Sequence, residues 1–343
     1  EFERADGQKQ TLAILQAYVE NQGSAWNFSV DYLERFLGEQ MAELMAPAVL
    51  DSPLAPNPQI SPNPPIAPNA PAGESPHGYF LTLMDLLGQR TGELHLAFAQ
   101  PTGDPGFEPE AITALDLARW SEHLRDEAVA TLDDLERRRD ELPGDQREGI
   151  DRLLSLRKTL LTKISPASLA GVTAAKMRYH GDYHLGQVLR VEHDFVITDF
   201  EGEPGRTIAE RHEKHSPMRD VAGMLRSFSY VAAVATNHST TERPSDRHRA
   251  GPLAQAWEHD AATAFLTGYR NVVGNTSVVP PEGDATDRLI RFFVIEKALY
   301  ELRYEMNNRP DWLAIPLFSL IRTIDGTELA HESSATTTPG GAT

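Results

Sequence analysis

The sequence predicts an α+β fold in which helices dominate and the sheet is small. Apolar residues recur at helical spacing over most of the 343 positions, which predicts a series of amphipathic helices. Residues 187–191 and 195–198 are short β-rich runs separated by three polar residues, and they predict a hairpin. Residues 47–76 contain ten of the 24 prolines, a density that no helix or interior strand tolerates. We therefore expect helices, one hairpin and a solvated proline-rich loop.

The first half of the chain is expected to hold one strand followed by helices. Residues 11–19 form an apolar run with strand propensity that ends at the turn-forming Asn21-Gln22-Gly23. Three segments then have helical spacing: 31–50, 80–98 and 111–163, the last interrupted at Pro143-Gly144. The proline-rich loop could join two domains, but the helices on both sides of it favour an insertion in one helical connection.

Helices are also expected after the hairpin. Their spacing predicts segments 217–234, 252–273 and 285–306, and a shorter one at 311–321. Residues 328–343 are rich in Ser, Thr and Gly and predict a disordered tail. We find no internal repeat.

Charge and composition exclude several classes of function. The net charge of −18 disfavours nucleic acid and anionic lipid as partners, so a nucleotide would need a locally basic or metal-loaded site. The absence of cysteine excludes disulfides and thiolate chemistry and fits a cytoplasmic protein. No apolar run is long enough to span a membrane, and the first residues do not resemble a signal peptide.

The segment from His180 to Gln187 and the end of the second β-run carry the residues best suited to chemistry. Phosphoryl transfer needs a carboxylate that accepts the proton of the substrate hydroxyl, and oxygen ligands for Mg²⁺. Asp182 and Gln187 are five residues apart, and Asp199 closes the hairpin, which would return it beside the loop that holds Asp182. The set predicts a kinase site with Asp182 as the base and Gln187 and Asp199 as metal ligands.

Less specific interpretations of the same residues remain open. Asp182 follows a glycine and could be a turn residue, and Asp199 could simply end a strand. His180 and His184 could ligate a metal with Asp182, but the intervening glycine disfavours the helix that would align the two rings; hydrogen bonding within the loop suits both better. Asp220 could face the dipole of the helix it opens, or could anchor the catalytic loop.

Longer stretches resemble a known family. His180-Gly181-Asp182 with Asp199-Phe200-Glu201 resembles the aminoglycoside phosphotransferase-like kinases, which have a protein-kinase-like fold. Five stretches narrow the resemblance to the maltokinases, including those fused to trehalose synthases: 18–26, 180–190, 199–204, 216–230 and 308–317. The resemblance covers nearly the whole chain apart from the proline-rich loop and the tail.

The resemblance implies an activity and its cofactors. It implies ATP with Mg²⁺, maltose as the acceptor, and maltose 1-phosphate that feeds α-glucan (glycogen) synthesis, with trehalose synthase as a fused or associated partner. Four residues would form the hinge that meets adenine through main-chain groups: Gln16, Ala17, Tyr18 and Val19.

Acceptor contacts are implied on the helix that contains residues 296–304. Tyr300 and Tyr304 could stack on a sugar while Lys297 bonds its hydroxyls, although an ordinary amphipathic helix would show the same pattern. His180 and Glu201 complete the expected acceptor contacts, and His184 and Asp220 are expected to support the loop.

The expected division of the chain is a remnant of a small lobe at residues 1–28, a helical lobe with the catalytic site at 29–327, and the tail at 328–343. No Gly-rich loop and no strand lysine precede the hinge, so the resemblance implies that the chain alone turns over slowly or not at all. Two other functions stay open: a non-catalytic module that binds a sugar or a partner, and another small-molecule kinase with a cationic acceptor, which an acidic cleft would suit.

Overall fold

The computed structural model describes residues 2–3, 9–10, 17–45, 75–203, 205–274, 276–281 and 283–326. The proline-rich loop, apart from its last two residues, the tail and the hinge residue Gln16 lie outside this part of the chain. The described residues form a mostly helical α+β structure, which confirms the predicted class. None of their helices combines the length and apolarity needed to cross a bilayer.

The helices are α1 (Ala25–Met45), α2 (Gly78–Phe98), α3 (Ala114–Arg138), α4 (Arg147–Ser155), α5 (Arg157–Lys163), α6 (Ile208–His212), α7 (Met218–Ser239), α8 (Arg247–Val273), α9 (Gly283–Asn308) and α10 (Ala314–Asp325). The strands are β1 (Phe2–Glu3), β2 (Lys9–Gln10), β3 (Glu110–Ala111), β4 (Ala175–Lys176), β5 (Val188–Val191) and β6 (Asp194–Ile197). They pair two by two, β1 with β2, β3 with β4 and β5 with β6, all antiparallel.

The predicted hairpin is confirmed with a shorter turn. Val188 pairs with Ile197 and Val191 with Asp194, so only Glu192 and His193 connect the strands. Glu192 adopts a φ of 53°, the left-handed conformation that two-residue hairpin turns require. The hairpin therefore brings residue 198 back beside Gln187.

A strand was predicted at residues 11–19, and the part of this segment that the structure describes is not a strand. Residues 17–20 form neither helix nor strand, and residues 11–16 lie outside the described part. The pairing lies further along the chain, where the N–H of Gln22 donates to the carbonyl of Arg190 at 2.9 Å and the N–H of Arg190 donates to that of Gly23 at 3.0 Å. Apolar character alone does not locate a strand, because pairing partners far along the chain decide it.

Helix ends differ from the prediction by several residues. Helix α1 begins at Ala25 rather than residue 31, so the expected domain boundary at 28/29 falls inside a helix; the division into domains stays a prediction. Helix α8 begins at Arg247, five residues before Pro252, at which its start was predicted. A proline near a helix N-terminus removes little hydrogen bonding, so it does not fix the first residue.

The core is built around α7, which packs against α1, α8 and α9 and buries most of its length. Helices α2 and α8 approach most closely at two glycines. A Cβ on Gly268 would lie 1.9 Å from the carbonyl oxygen of Asp85, and one on Gly88 would lie 2.0 Å from that of Phe265. The two backbones are therefore in direct contact at this crossing.

We expect Gly268→Ala to lower the free energy of unfolding by about 2–3 kcal/mol, because the new methyl group must push two helix backbones apart. Gly38→Ala is the matched control, since Gly38 lies inside α1 and a Cβ at this position would meet nothing within 4 Å. That change should raise stability by about 0.5–1 kcal/mol through helix propensity. Urea unfolding of both variants measures the difference, and equal effects would contradict the close approach.

Candidate active site

The loop that carries Asp182 is fixed by a buried carboxylate on α7. Asp220 is 2% exposed, and its two oxygens accept the N–H groups of His180 at 2.7 Å and Gly181 at 3.0 Å. Burial alone would raise the pKa of Asp220, but the hydrogen bond from His95 and those from the loop hold it below its ordinary value. Of the two interpretations of Asp220, the structure favours the loop anchor.

Asp220 is itself supported from two other helices. The ring of His95 on α2 contacts Asp220 Oδ2 through Nε2 at 3.2 Å, and its Nδ1 lies 2.9 Å from the hydroxyl of Tyr269 on α8. Since the carboxylate can only accept, Nε2 carries a proton; in the neutral ring Nδ1 then accepts from the tyrosine. A buried chain thus runs from α8 through α2 and α7 to the catalytic loop.

Close packing fixes the loop beyond Asp182. A Cβ on Gly223 would lie 2.5 Å from the carbonyl oxygen of Tyr183, so only glycine lets α7 come this near. The hydroxyl of Tyr183 bonds Thr91 of α2 at 2.8 Å, and the N–H of Leu185 donates to Ser227 at 3.1 Å. The backbone around Asp182 is held by α2 and α7 together.

The two predicted loop histidines bond within the loop and to the hairpin. His180 is 1% exposed; its Nε2–H donates to the carbonyl of Thr198 at 2.8 Å, and its Nδ1 accepts the N–H of Asp182 at 3.3 Å. His184 accepts the N–H of Gly186 at Nδ1, and burial lowers its pKa. His180 therefore orients Asp182 and does not line the cleft described below, contrary to the expected acceptor contact.

The two predicted metal ligands lie together at the hairpin. The amide nitrogen of Gln187 donates to Asp199 Oδ2 at 2.8 Å, which leaves the amide oxygen of Gln187 and the exposed carboxylate of Asp199 able to face a cation. Asp199 has a φ of 68°, held by the bond from the Thr198 N–H to the Gln187 carbonyl. These oxygen donors suit Mg²⁺. The described residues include no group of three or more His, Asp or Glu arranged to hold a metal, so this pair would need further ligands from a substrate or water.

Asp182 lies at a cleft of about 460 Å³ between its loop, residues 203–210, α3 and α9. Polar and charged side chains dominate the lining. The acidic members are Glu127, Asp182, Glu203, Glu210, Asp220 and Glu296; the basic ones are Arg206, Arg219, Lys297 and Arg303, and the tyrosines are Tyr179, Tyr183, Tyr300 and Tyr304.

Lys297 lies at the point of the cleft nearest to Asp182. Its Nζ is 3.8 Å from Asp182 Oδ1, 3.2 Å from Glu203 Oε1 and 4.8 Å from the centre of the Tyr300 ring. The other oxygen of Glu203 accepts from Nε of Arg206 at 3.1 Å. Burial raises the pKa of Glu203, but Lys297 and Arg206 outweigh it and leave that pKa below its ordinary value.

A second ion pair stiffens the wall of the cleft. Arg219 on α7 holds both carboxylate oxygens of Glu296 on α9, at 2.9 and 2.6 Å, and also donates to the hydroxyl of Tyr179 at 3.1 Å. Such a bidentate pair fixes two side chains in one geometry. It therefore sets the position of α9 relative to the catalytic loop.

The structure brings together part of the predicted acceptor set. Lys297, Tyr300 and Tyr304 all line the cleft, whereas Glu201 is exposed and does not. Glu203 lines the cleft instead. In an extended chain residues 201 and 203 would face the same side, but Gly202 adopts a φ of 75° and turns the backbone between them. His95 was missed too; a lone His in an apolar helical stripe was its only signal in the sequence.

The predicted hinge can be placed only in part. Gln16 is outside the described residues, Ala17 and Val19 lie in a segment without regular structure, and the side chain of Tyr18 is 86% exposed. Their contact with adenine stays a prediction.

No protein-family model matches the chain. Curated relatives are a glucosamine kinase of Streptacidiphilus jiangxiensis, 26% identical over 68% of this chain, and one of Mycolicibacterium smegmatis, 32% identical over 46% of this chain. These matches cover 47% and 36% of the relatives, so the chain spans about half or less of the curated relatives it matches.

Two solved structures that are similar to this chain are also of glucosamine kinases. A glucosamine kinase and a glucosamine kinase in complex with glucosamine, ADP and inorganic phosphate superpose with TM-scores of 0.61 and 0.60, at 22% identity, over 88% of this chain and 58% of each of theirs. At this identity the likeness concerns the fold alone.

The maltokinase interpretation is wrong. The relatives and the solved structures found are glucosamine kinases, and none supports maltose, a trehalose synthase partner or the narrower assignment to a protein-kinase-like fold. The stretches behind the resemblance include the catalytic-loop and hairpin motifs, and these serve phosphoryl transfer whatever the acceptor is. The nature of the acceptor was therefore the least secure part of it.

Proposed function

We propose that this chain forms the acceptor-binding and catalytic part of an ATP-dependent sugar kinase whose acceptor is an amino sugar, with glucosamine as the leading candidate. The observation that carries the proposal is the position of Asp182, on a rigidly held loop at the mouth of a cleft rich in carboxylates. The names of the relatives and of the solved structures agree with it.

Asp182 has the properties of a general base for a sugar hydroxyl. Its backbone N–H donates to His180, which itself bonds Asp220 through its N–H and the Thr198 carbonyl through its ring, so the carboxylate needs little reorganisation when an acceptor binds. One carboxylate oxygen lies 3.8 Å from the Lys297 ammonium group, and the side chain lines the cleft that an acceptor hydroxyl would enter. Asp182 would take the hydroxyl proton as the oxygen attacks the phosphoryl group.

Asp199 and Gln187 are the residues of this chain suited to hold Mg²⁺ with the nucleotide phosphates. When bound there, the ion would neutralise charge on the transferring phosphoryl group. The hairpin that ends at Asp199 is linked to the loop of Asp182 through the His180–Thr198 hydrogen bond, so the two carboxylates stay in fixed relation.

The charge of the cleft favours a cationic acceptor. Glu203 is 6% exposed and Asp182 is close by, and both face the same Lys297 ammonium group. An acceptor ammonium group could be compensated by these carboxylates, whereas a neutral sugar would gain only ordinary hydrogen bonds. A monosaccharide also fits within 460 Å³.

The proposal is tested with a panel of acceptors on the protein that contains this chain. ADP release is measured with ATP, Mg²⁺ and glucosamine, N-acetylglucosamine, glucose or maltose. Glucose is the matched control, because it keeps the ring and carries a hydroxyl where glucosamine carries its ammonium group; N-acetylglucosamine also lacks the charge but adds an acetyl group. We expect kcat/KM for glucosamine to exceed that for every neutral sugar by about 10²-fold, since one lost charged contact is worth ~2–3 kcal/mol. Equal turnover of glucose and glucosamine would contradict the assignment of the acceptor.

A further inference from the structure

Lys297 occupies the most acidic position of the cleft. Its ammonium group lies between Asp182 and Glu203, at 3.8 and 3.2 Å, and over the ring of Tyr300. These partners, two carboxylates and one aromatic face, are the groups that bind any primary ammonium in a protein. In the free protein the chain thus supplies its own cation to this position.

An acceptor ammonium group cannot join Lys297 there. Two positive charges about 4 Å apart repel strongly in the partly desolvated environment of a cleft. The free space is also limited, since the second oxygen of Glu203 is already held by Arg206 and the carboxylate is buried. One of the two ammonium groups must leave for the other to bind.

Lys297 is the group that can leave at low cost. Its side chain is 28% exposed, four methylene groups connect the ammonium to the backbone, and the lost contacts are a partly solvated ion pair. Arg206, in contrast, forms an ion pair with the other oxygen of Glu203 and does not bridge to Asp182.

We propose that Lys297 is a specificity-determining residue that acts as an internal counter-ion: it neutralises Asp182 and Glu203 in the free protein and is displaced by the ammonium group of the acceptor. A cationic acceptor takes the place of Lys297 between the two carboxylates, whereas a neutral sugar leaves the lysine there. This role rests on the proposed function, because it requires the amino sugar to bind in this cleft.

The test compares acceptor binding by three variants of the protein that contains this chain. Lys297→Met removes the competing cation, Lys297→Arg keeps it, and Lys214→Met is the control for net charge, since Lys214 pairs with Glu110 outside the cleft. Calorimetry with glucosamine and with glucose gives the affinities, and thermal melts establish that each variant is folded.

We expect Lys297→Met to bind glucosamine about fivefold more tightly and glucose no more tightly, because only the charged acceptor competes with the lysine. Lys297→Arg and Lys214→Met should leave glucosamine affinity within twofold. Weaker glucosamine binding by folded Lys297→Met would overturn the inference and make Lys297 a direct acceptor contact, and equal tightening in Lys214→Met would reduce the effect to net charge. If the unmodified protein does not prefer glucosamine over glucose, the proposed function itself fails.

Discussion

Replacing Asp182 by Asn should lower kcat for sugar phosphorylation by about 10²–10⁴-fold and leave nucleotide affinity within twofold. The amide keeps the size of the side chain and its place at the cleft, but it cannot accept the hydroxyl proton. The loop should not move, because its anchors are backbone N–H groups that bond Asp220 and His180.

Two further variants make this assignment specific. Asp199→Asn should abolish Mg²⁺-dependent ATP binding, measured by calorimetry, since it removes the charged oxygen that suits the ion. Asp145→Asn changes the same side-chain chemistry at an exposed position outside the cleft and should change neither kcat nor binding. Equal losses of ATP affinity in Asp182→Asn and Asp199→Asn would contradict the separate roles of the two carboxylates.

The spacing of apolar residues and the positions of turn-forming residues made the local structure predictable. Helix α2 was predicted at residues 80–98 and spans Gly78–Phe98, and the hairpin was predicted within one residue of β5 and β6. Both signals are contained in the segment itself, through apolar spacing on one helix face and two β-rich runs beside a short turn.

The cleft could not be predicted to the same degree, because its residues meet only in the folded chain. Glu203 and Lys297 are 94 positions apart, and their contact depends on the packing of α9 against the catalytic loop. Sequence spacing identified the face of α9 that Lys297 and Tyr300 share. It did not show that Gly202 would turn Glu203, and not Glu201, towards that face.

The acceptor was misjudged for a physical reason as well. Residues that move a phosphoryl group must satisfy the same geometry in many kinases, so motifs built from them carry little information about the sugar. Acceptor selectivity lies instead in side chains such as Glu203 and Lys297, whose charges balance only in three dimensions. A kinase with a cationic acceptor was one of the functions left open, since an acidic cleft would suit it, but the motif resemblance outweighed it.

The buried carboxylate of Asp220 gives the largest expected loss of stability. Asp220→Asn should lower the free energy of unfolding by about 3 kcal/mol, because the amide can accept only one of the two loop N–H groups and directs its own N–H at the other. The carboxylate has a lowered pKa in the folded state, so its contribution is present above its ordinary pKa of ~3.9 and is lost as the pH falls through the folded value. Denaturant unfolding at pH 7 and at several pH values below the ordinary pKa measures both effects, and the variant should lose less stability on acidification than the parent.

The same substitution should impair catalysis apart from folding, because Asp220 holds the backbone on either side of Gly181 and so aims Asp182. At a temperature where the variant remains folded, kcat should fall at least about tenfold, since a displacement of the base by ~1 Å costs this much or more. Asp116→Asn is the matched control: Asp116 caps α3, accepts from Lys176 at 2.8 Å and lies outside the cleft. It should lower stability by ~1–2 kcal/mol and leave kcat unchanged. If both variants lose kcat in proportion to their stability, Asp220 supports only the fold; if kcat falls in Asp220→Asn alone, the carboxylate positions the catalytic loop.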